Sequence, residues 1–470
     1  MLRNRRVGRL GLAALAVSAV LGCSSSTPTP SVPSLASVAP SEVPSTAPQT
    51  VASQSVAPPS AAPESAAPES VAPQSAAPQS QAPSSAPSPA PSSEPSPSAT
   101  PGPLIVDWQR VSNPGLGSAN EIAGSAAAGG HFVVVGARTD DEGVVWTSSN
   151  GRDWSEPTLP SVPGGYLQLF DVSGVGKGFI AVGDTSDDQG NTTAVALYSP
   201  DGTTWEQFNN ADLSGWTYDQ VAVVGSTIVL AASSNTGSGF VTSTDSGQTW
   251  SQPDDSSGPA KAGVLELTAT DTDFWAFTST TSGPAAIQVW RSSDGSSWTS
   301  VGTIPDSAAA VNGRIEVADG PAGWVLAAPA NGNHKKDYVW TSADGATWQA
   351  VDPPPFGIQD MFGDTAGYIA VGLWYPNGTG CDTDSAQAEG VTFTSTDALH
   401  WRLMPYDGWM GMFIQQLRRY GRTLIGIGLD FNSVDAGTGA VWTAKLPDTA
   451  QDPGPEPSFP PPPGGGCHTG

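Results

Sequence analysis

Carboxylates recur along this chain at a near-constant interval: Asp171, Asp219, Glu266, Glu316 and Asp360 follow one another at 44 to 50 residues, with Glu121 before them and Gln415 or Gln416 after. If the repeating unit is arranged about an axis, these side chains converge into an acidic ring, which suits a cation. The same positions can instead serve hydrogen bonds between neighbouring repeats, because polar groups buried between strands need partners.

A second group is aromatic. Trp374 and Tyr375 open the long polar segment LWYPNGTGCDTDSAQAEG, and Tyr406 and Trp409 lie in a later connection. Four aromatics in loops form either a stacking platform for sugar rings or peptides, or a small local core that holds the long loop. Other chemistry is faint. Asp187, Asp188 and Asn191 lack the Asp-x-Asp-x-Asp-Gly spacing of a calcium loop, and His131, His334, His400 and His468 have no ligand spacing. There is no Gly-x-Ser-x-Gly, His-Glu-x-x-His or phosphate-loop motif. No metal and no cofactor is expected.

Charge narrows the partners. The formal charge is −26, and four of the 18 basic residues (Arg3, Arg5, Arg6, Arg9) precede the first apolar run. Such an excess of acid repels nucleic acid and anionic lipid, and leaves cations, neutral glycans, peptides and proteins open. A glycan, a peptide or an envelope protein is the expected partner, and the chain is expected to be a monomer.

The arginine-rich start leads into about a dozen apolar residues ending at Val20-Leu21-Gly22-Cys23. The run is too short to span a bilayer, which takes roughly 20 apolar residues, and reads as an export signal over residues 1–22. Its end resembles a bacterial lipobox, which implies lipidation of Cys23, with the chain exported and anchored facing outward. Residues 23–103 are nearly all Ser, Pro, Ala and Val. Such a segment builds no core and should form a disordered, extended tether. Residues 447–470 form a Pro- and Gly-rich tail. With Cys23 assigned to lipid, Cys381 and Cys467 remain, and two cysteines outside the cytoplasm are expected to pair as a disulfide.

The elements that must position all this repeat too. Trp108, Trp154, Trp205, Trp250, Trp298, Trp348 and Trp401 recur at 45 to 53 residues, within the range of propeller blades. Each unit reads as a weak strand, two apolar strands and an outer strand carrying the tryptophan, as in FVVVGARTDDEGVVWTSSNGRDW from Phe132. The seventh unit ends at AVWTAK without an outer strand, whereas IVDWQRVSNP supplies a spare one at the start. The expected fold is therefore all-β: a seven-bladed β-propeller of four-stranded antiparallel blades over residues 104–446, closed by its N-terminal strand, which removes a free edge.

The turn before each tryptophan resembles the Asp-box, or BNR, repeat of sialidase-like propellers, Ser-x-Asp-x-Gly-x-Thr-Trp. Residues Ser243 to Trp250 match at full length, the turns from Ser199, Ser292 and Ser342 are one residue shorter, that from Ser148 has Asn150 for Asp, and that from Ser395 lacks Gly. In that family these turns are structural and face away from the catalytic centre. The resemblance also implies three converging arginines, a Tyr–Glu nucleophile pair and an acidic Asp in the active members. The Arg-Ile-Pro string of their opening blade is missing; the nearest string is Arg314-Ile315-Glu316, in the fifth unit. Arg110, Arg152 and Arg402 fall on outer strands or turns, which leaves Arg138, Arg314 and Arg418 or Arg419. The expectation is a non-catalytic binding scaffold at the cell surface, with an exo-acting glycoside hydrolase or an envelope assembly factor as alternatives.

Overall fold

The computed structural model describes residues 104–446 apart from 113, 118, 139–141, 163–164, 209–214, 236, 252–257, 312, 330–336, 355, 375–388, 405–411 and 431–437. Seven antiparallel sheets follow one another along this unit and make a seven-bladed β-propeller. Blade one comprises Ala119–Ala128, His131–Arg138 and Gly143–Ser148, and blade two Tyr166–Val175, Gly178–Ser186, Thr192–Ser199 and Glu206–Gln207. Blade three comprises Trp216–Val224, Thr227–Ser234 and Ser238–Ser243, and blade four Val264–Ala269, Phe274–Ser279, Ile287–Ser292 and Thr299–Ile304. Blade five is Glu316–Gly320, Gly323–Pro329, Asp337–Ser342 and Gln349–Val351; blade six is Gly357–Asp364, Gly367–Trp374, Glu389–Ser395 and Arg402–Leu403. Blade seven is Met412–Tyr420, Thr423–Asp430 and Thr438–Lys445, completed on its outer edge by Gln109–Arg110.

Among the described residues the outer edge is weakest in blades one and three. A single bridge between Thr147 and Ser155 replaces the fourth strand of blade one. In blade three the amide of Ser251 bonds the carbonyl of Thr242 at 2.9 Å.

Closure follows from the N-terminal strand. Gln109 pairs with Thr443 and Arg110 with Trp442, and the Val111 amide donates to the Val441 carbonyl. Arg110 also bonds the Asp430 carboxylate at 2.5 Å. The buried Trp108 reaches sideways into blade six, where its indole N–H donates to Thr392 Oγ1 at 2.9 Å. The spare strand thus completes the seventh sheet and ties it to the sixth.

The middle strands explain the core. The second strands, such as Phe132 to Val135 and Phe179 to Val182, are buried on both faces because each blade is flanked by two others. The apolar clusters accordingly lie between blades; one joins Val289 and Phe277 of blade four to Leu326 and Trp340 of blade five.

Five turns between third strand and outer edge share one geometry; the turn from Ser243, one residue longer, keeps the Ser and Asp bonds but leaves the Trp250 indole without a partner among the described residues. In the turn from Ser199, Asp201 Oδ1 accepts the amides of Thr203 and Thr204, Ser199 Oγ accepts that of Gly202, and the Trp205 indole donates to the Gly202 carbonyl. Gly202 has φ +78°, which favours glycine. The amides of Thr204 and Thr203 hold the Asp201 carboxyl down at about 2, and the hydroxyl and amide of Thr249 do the same for Asp245.

Candidate functional site

The inner strands carry a repeated β-bulge, and the residue after it always meets the same place in the second strand. Asp171 faces Val182, Gln220 faces Ala231, Glu266 faces Phe277, Asp360 faces Val371 and Gln416 faces Ile427. Glu316 faces Ala327 without a bulge, and Gly124 faces Val135. Asp219 is offset from this ring: it is the bulged residue itself, it is exposed, and Gln220 takes the equivalent register. Glu121 likewise lies off the ring, opposite Ala137.

Several of these side chains stitch one blade to the next. Asp171 Oδ2 accepts the Val221 amide of blade three at 3.0 Å. Gln220 accepts the Leu267 amide of blade four and donates to the Leu265 carbonyl. Asp360 Oδ2 accepts the Leu417 amide of blade seven at 2.7 Å. In each pair the donor is the residue just after the next blade's ring position. Blade one offers only Gly124, where a Cβ would come within 3.0 Å of Asp171. Gln416 there bonds the Ser125 hydroxyl, and Arg418 joins Asp360, Gln416 and the Ser125 carbonyl. The ring walls a polar cavity of about 280 Å³ lined by Ser125, Asp171, Glu266 and Arg418 among others.

A second polar cluster lies between blades five and six, at the end where the inner strands begin. Asp337 opens the third strand of blade five, is 3% exposed, and accepts the Ile358 amide of blade six at 2.5 Å. Its other oxygen is buried and has no partner among the described residues. Burial pushes its carboxyl up to about 7; the Ile358 amide and the Arg314 charge oppose the rise, and Glu316 adds to it. Arg314 bonds Glu316 at 2.5 Å and reaches Gln359 Oε1 at 3.3 Å. Gln359 is the bulged residue of blade six, 6% exposed, and its amide nitrogen has no partner among the described residues.

Trp374 and Glu389 of blade six face the same boundary. They are directly opposite in the blade-six ladder, so their side chains share one face of the sheet. Trp374 is half-buried and packs on the apolar cluster shared by blades five and six, which places that face toward blade five. Glu389 is 7% exposed, and its Oε2 is buried with no hydrogen bond to a described residue. The seam between blades five and six therefore holds two carboxylate oxygens and one amide nitrogen whose bonding capacity the described residues leave unused.

The remaining expectations separate. Tyr375, Tyr406 and Trp409 lie outside the described residues, as do Cys23, Cys381 and Cys467. Asp187 accepts the amides of Gln189 and Asn191 and the Asn191 side chain, so its carboxylate closes its own loop. Arg138 pairs with Glu142 and Glu156, and Arg419 with Asp364. Arg138, Arg314 and Arg418 thus each bind polar partners in different blades. Among the described residues no group of three or more His, Cys, Asp or Glu side chains is placed to hold a metal ion. Asp337, Gln359 and Glu389 escape the sequence reading, although an acid at the first position of a third strand is a readable signal.

No protein-family model and no curated protein matches this sequence. Solved structures to which the chain is similar include the following two. One, YCF48 bound to a D1 peptide, is 14% identical with a TM-score of 0.48, over 77% of this chain and 100% of that one. The other, an ancestral GH74 enzyme, is 13% identical with a TM-score of 0.46, over 75% of this chain and 49% of that one. The chain is similar to both as a β-propeller.

Proposed function

We propose that this chain is an exported, lipid-anchored propeller that acts without catalysis as a binding scaffold, presenting its loop-bearing face to a peptide, glycan or envelope protein. Export and anchoring rest on the arginine-rich start, the lipobox-like Val20 to Cys23 and the Pro/Ala/Ser tether. The match of six turns to the Asp-box pattern supports a place among the sialidase-like propellers. The observation that carries the binding reading is the crevice of Trp374, Asp337, Gln359 and Glu389, where buried polar atoms await partners beside a half-buried aromatic. An acidic ring for a cation is the weaker reading, because Asp171 and Asp360 each spend one oxygen on a backbone amide of the next blade and the other on the amide of the following residue.

The arginines also favour binding over glycoside hydrolysis. Arg314 is tied to Glu316 at the start of blade five, and Arg418 of blade seven to Asp360 of blade six. The test is to screen the intact chain on glycan and peptide arrays while assaying fluorogenic sialosides and glucosides. Specific binding weakened by Trp374→Ala, with no turnover, is expected. Turnover abolished by Arg314→Ala contradicts the reading.

A further inference from the structure

We infer that the crevice between blades five and six receives the ammonium or guanidinium of a basic side chain on a peptide partner. The inference rests on the binding reading above and names the chemistry of that site. Glu389 Oε2 is a buried acceptor that bonds to no other described residue, and Asp337 Oδ1, likewise buried and unbonded, adds a second acceptor once that carboxyl has lost its proton. A buried carboxylate oxygen left unsatisfied destabilises the chain, so a ligand that donates to it recovers that loss on binding. A sugar hydroxyl or a peptide amide supplies one donor, whereas an ammonium supplies three and a guanidinium five.

Trp374 strengthens the choice of a cation. It stands directly across the ladder from Glu389 on the same face, the arrangement in which a charged head can bond the carboxylate while its stem lies along the indole. Arg314, the cation of the cluster among the described residues, is committed to Glu316 and Gln359. The chain's charge of −26 adds a long-range attraction for a basic partner, and speeds its arrival. The charge excess alone would attract any cation anywhere; the orphaned oxygens beside Trp374 make a site.

The test uses the intact chain, with Nα-acetyl-lysine methyl ester and its uncharged norleucine analogue as probes, titrated calorimetrically at physiological salt. Saturable one-to-one binding of the lysine ester is expected, with at least ten-fold weaker binding of norleucine. Glu389→Gln and Trp374→Ala should each weaken the lysine ester about ten-fold, with the thermal midpoint of each variant recorded to show that it folds. Equal binding of the two probes, or binding unchanged by Glu389→Gln, overturns the inference. So does an absence of binding together with a more stable Glu389→Leu, which would show that the oxygens are merely hydrated. A chain that fails this test yet binds glycans keeps the scaffold reading; one that binds nothing on either array loses both.

Discussion

Asp360, on the inner strand of blade six, accepts the backbone amide of Leu417 on the inner strand of blade seven at 2.7 Å. The pairing crosses a blade boundary near the axis, and the same bond joins Asp171 to Val221 and Gln220 to Leu267. A propeller has few covalent ties between blades, so such bonds set the angle at which one sheet meets the next.

Asp360→Ala should therefore destabilise the fold by roughly 2–4 kcal/mol, since it strips a buried amide of its acceptor and leaves Arg418 without its carboxylate. Asp360→Asn, which keeps an acceptor, should cost less. Thermal or urea unfolding measures both, and an Asp360→Ala as stable as the parent would deny the ring its structural role.

Asp337 makes stability depend on pH. Its carboxyl titrates near 7 when folded, against an ordinary value of 3.8, so between these values the folded chain holds a proton that the unfolded chain has released. Stability should accordingly fall as pH rises from about 4 to about 7. The loss attributable to this group is on the order of a few kcal/mol, because each tenfold change in proton affinity between the folded and unfolded chain is worth about 1.4 kcal/mol. Asp337→Asn keeps an acceptor for the Ile358 amide and should flatten that slope, leaving the variant more stable than the parent at pH 8. Unfolding midpoints at pH 5 and pH 8 give the comparison.

The turns act in the opposite direction. Asp201 and Asp245 are held near 2, below their ordinary value, so they favour the folded state at neutral pH and lose that contribution as pH falls from about 4 toward 2. Asp201→Ala also removes the acceptor for two turn amides. Its midpoint should drop at pH 7 by more than at pH 2.5, which a pair of thermal melts resolves.

Closure by the N-terminal strand has its own signature. Trp108→Ala deletes a buried indole and its bond to Thr392, for a loss of roughly 3–5 kcal/mol. Removing residues 1–111 should go further, uncovering the edge of Thr438–Lys445 and producing aggregates on size-exclusion chromatography. A monomeric, equally stable truncation would mean that the strand is dispensable.

Much of this fold is legible in the sequence because its signals are local and repeated. Trp154, Trp205, Trp298 and Trp348 each close a turn held together by bonds among its own Ser, Asp or Asn, Gly and Trp. The missing outer strand of the seventh unit and the spare one at Trp108 point to the same closure. The ring register is legible at Asp171, Glu266, Glu316 and Asp360, and is missed by one residue at Asp219 and by three at Glu121. A bulge inserts a residue and reverses the facing of those before it, so the apolar pattern cannot tell Asp219 from Gln220. The crevice is harder to read. Asp337 and Glu389 stand at the ends of polar segments and look like loop residues, and only pairing against Pro329 and Trp374 brings them between two blades.

The central claim is that partners bind on the face that carries the crevice. The most direct measurement compares a peptide or glycan selected on the intact chain for binding to Trp374→Ala and to Leu399→Ser, the latter changing a 48% exposed side chain in the turn of blade six, at the opposite end of the same sheet. Binding at the crevice predicts affinity reduced about ten-fold or more by Trp374→Ala and unchanged by Leu399→Ser. Affinity lost with Leu399→Ser and retained with Trp374→Ala would contradict it.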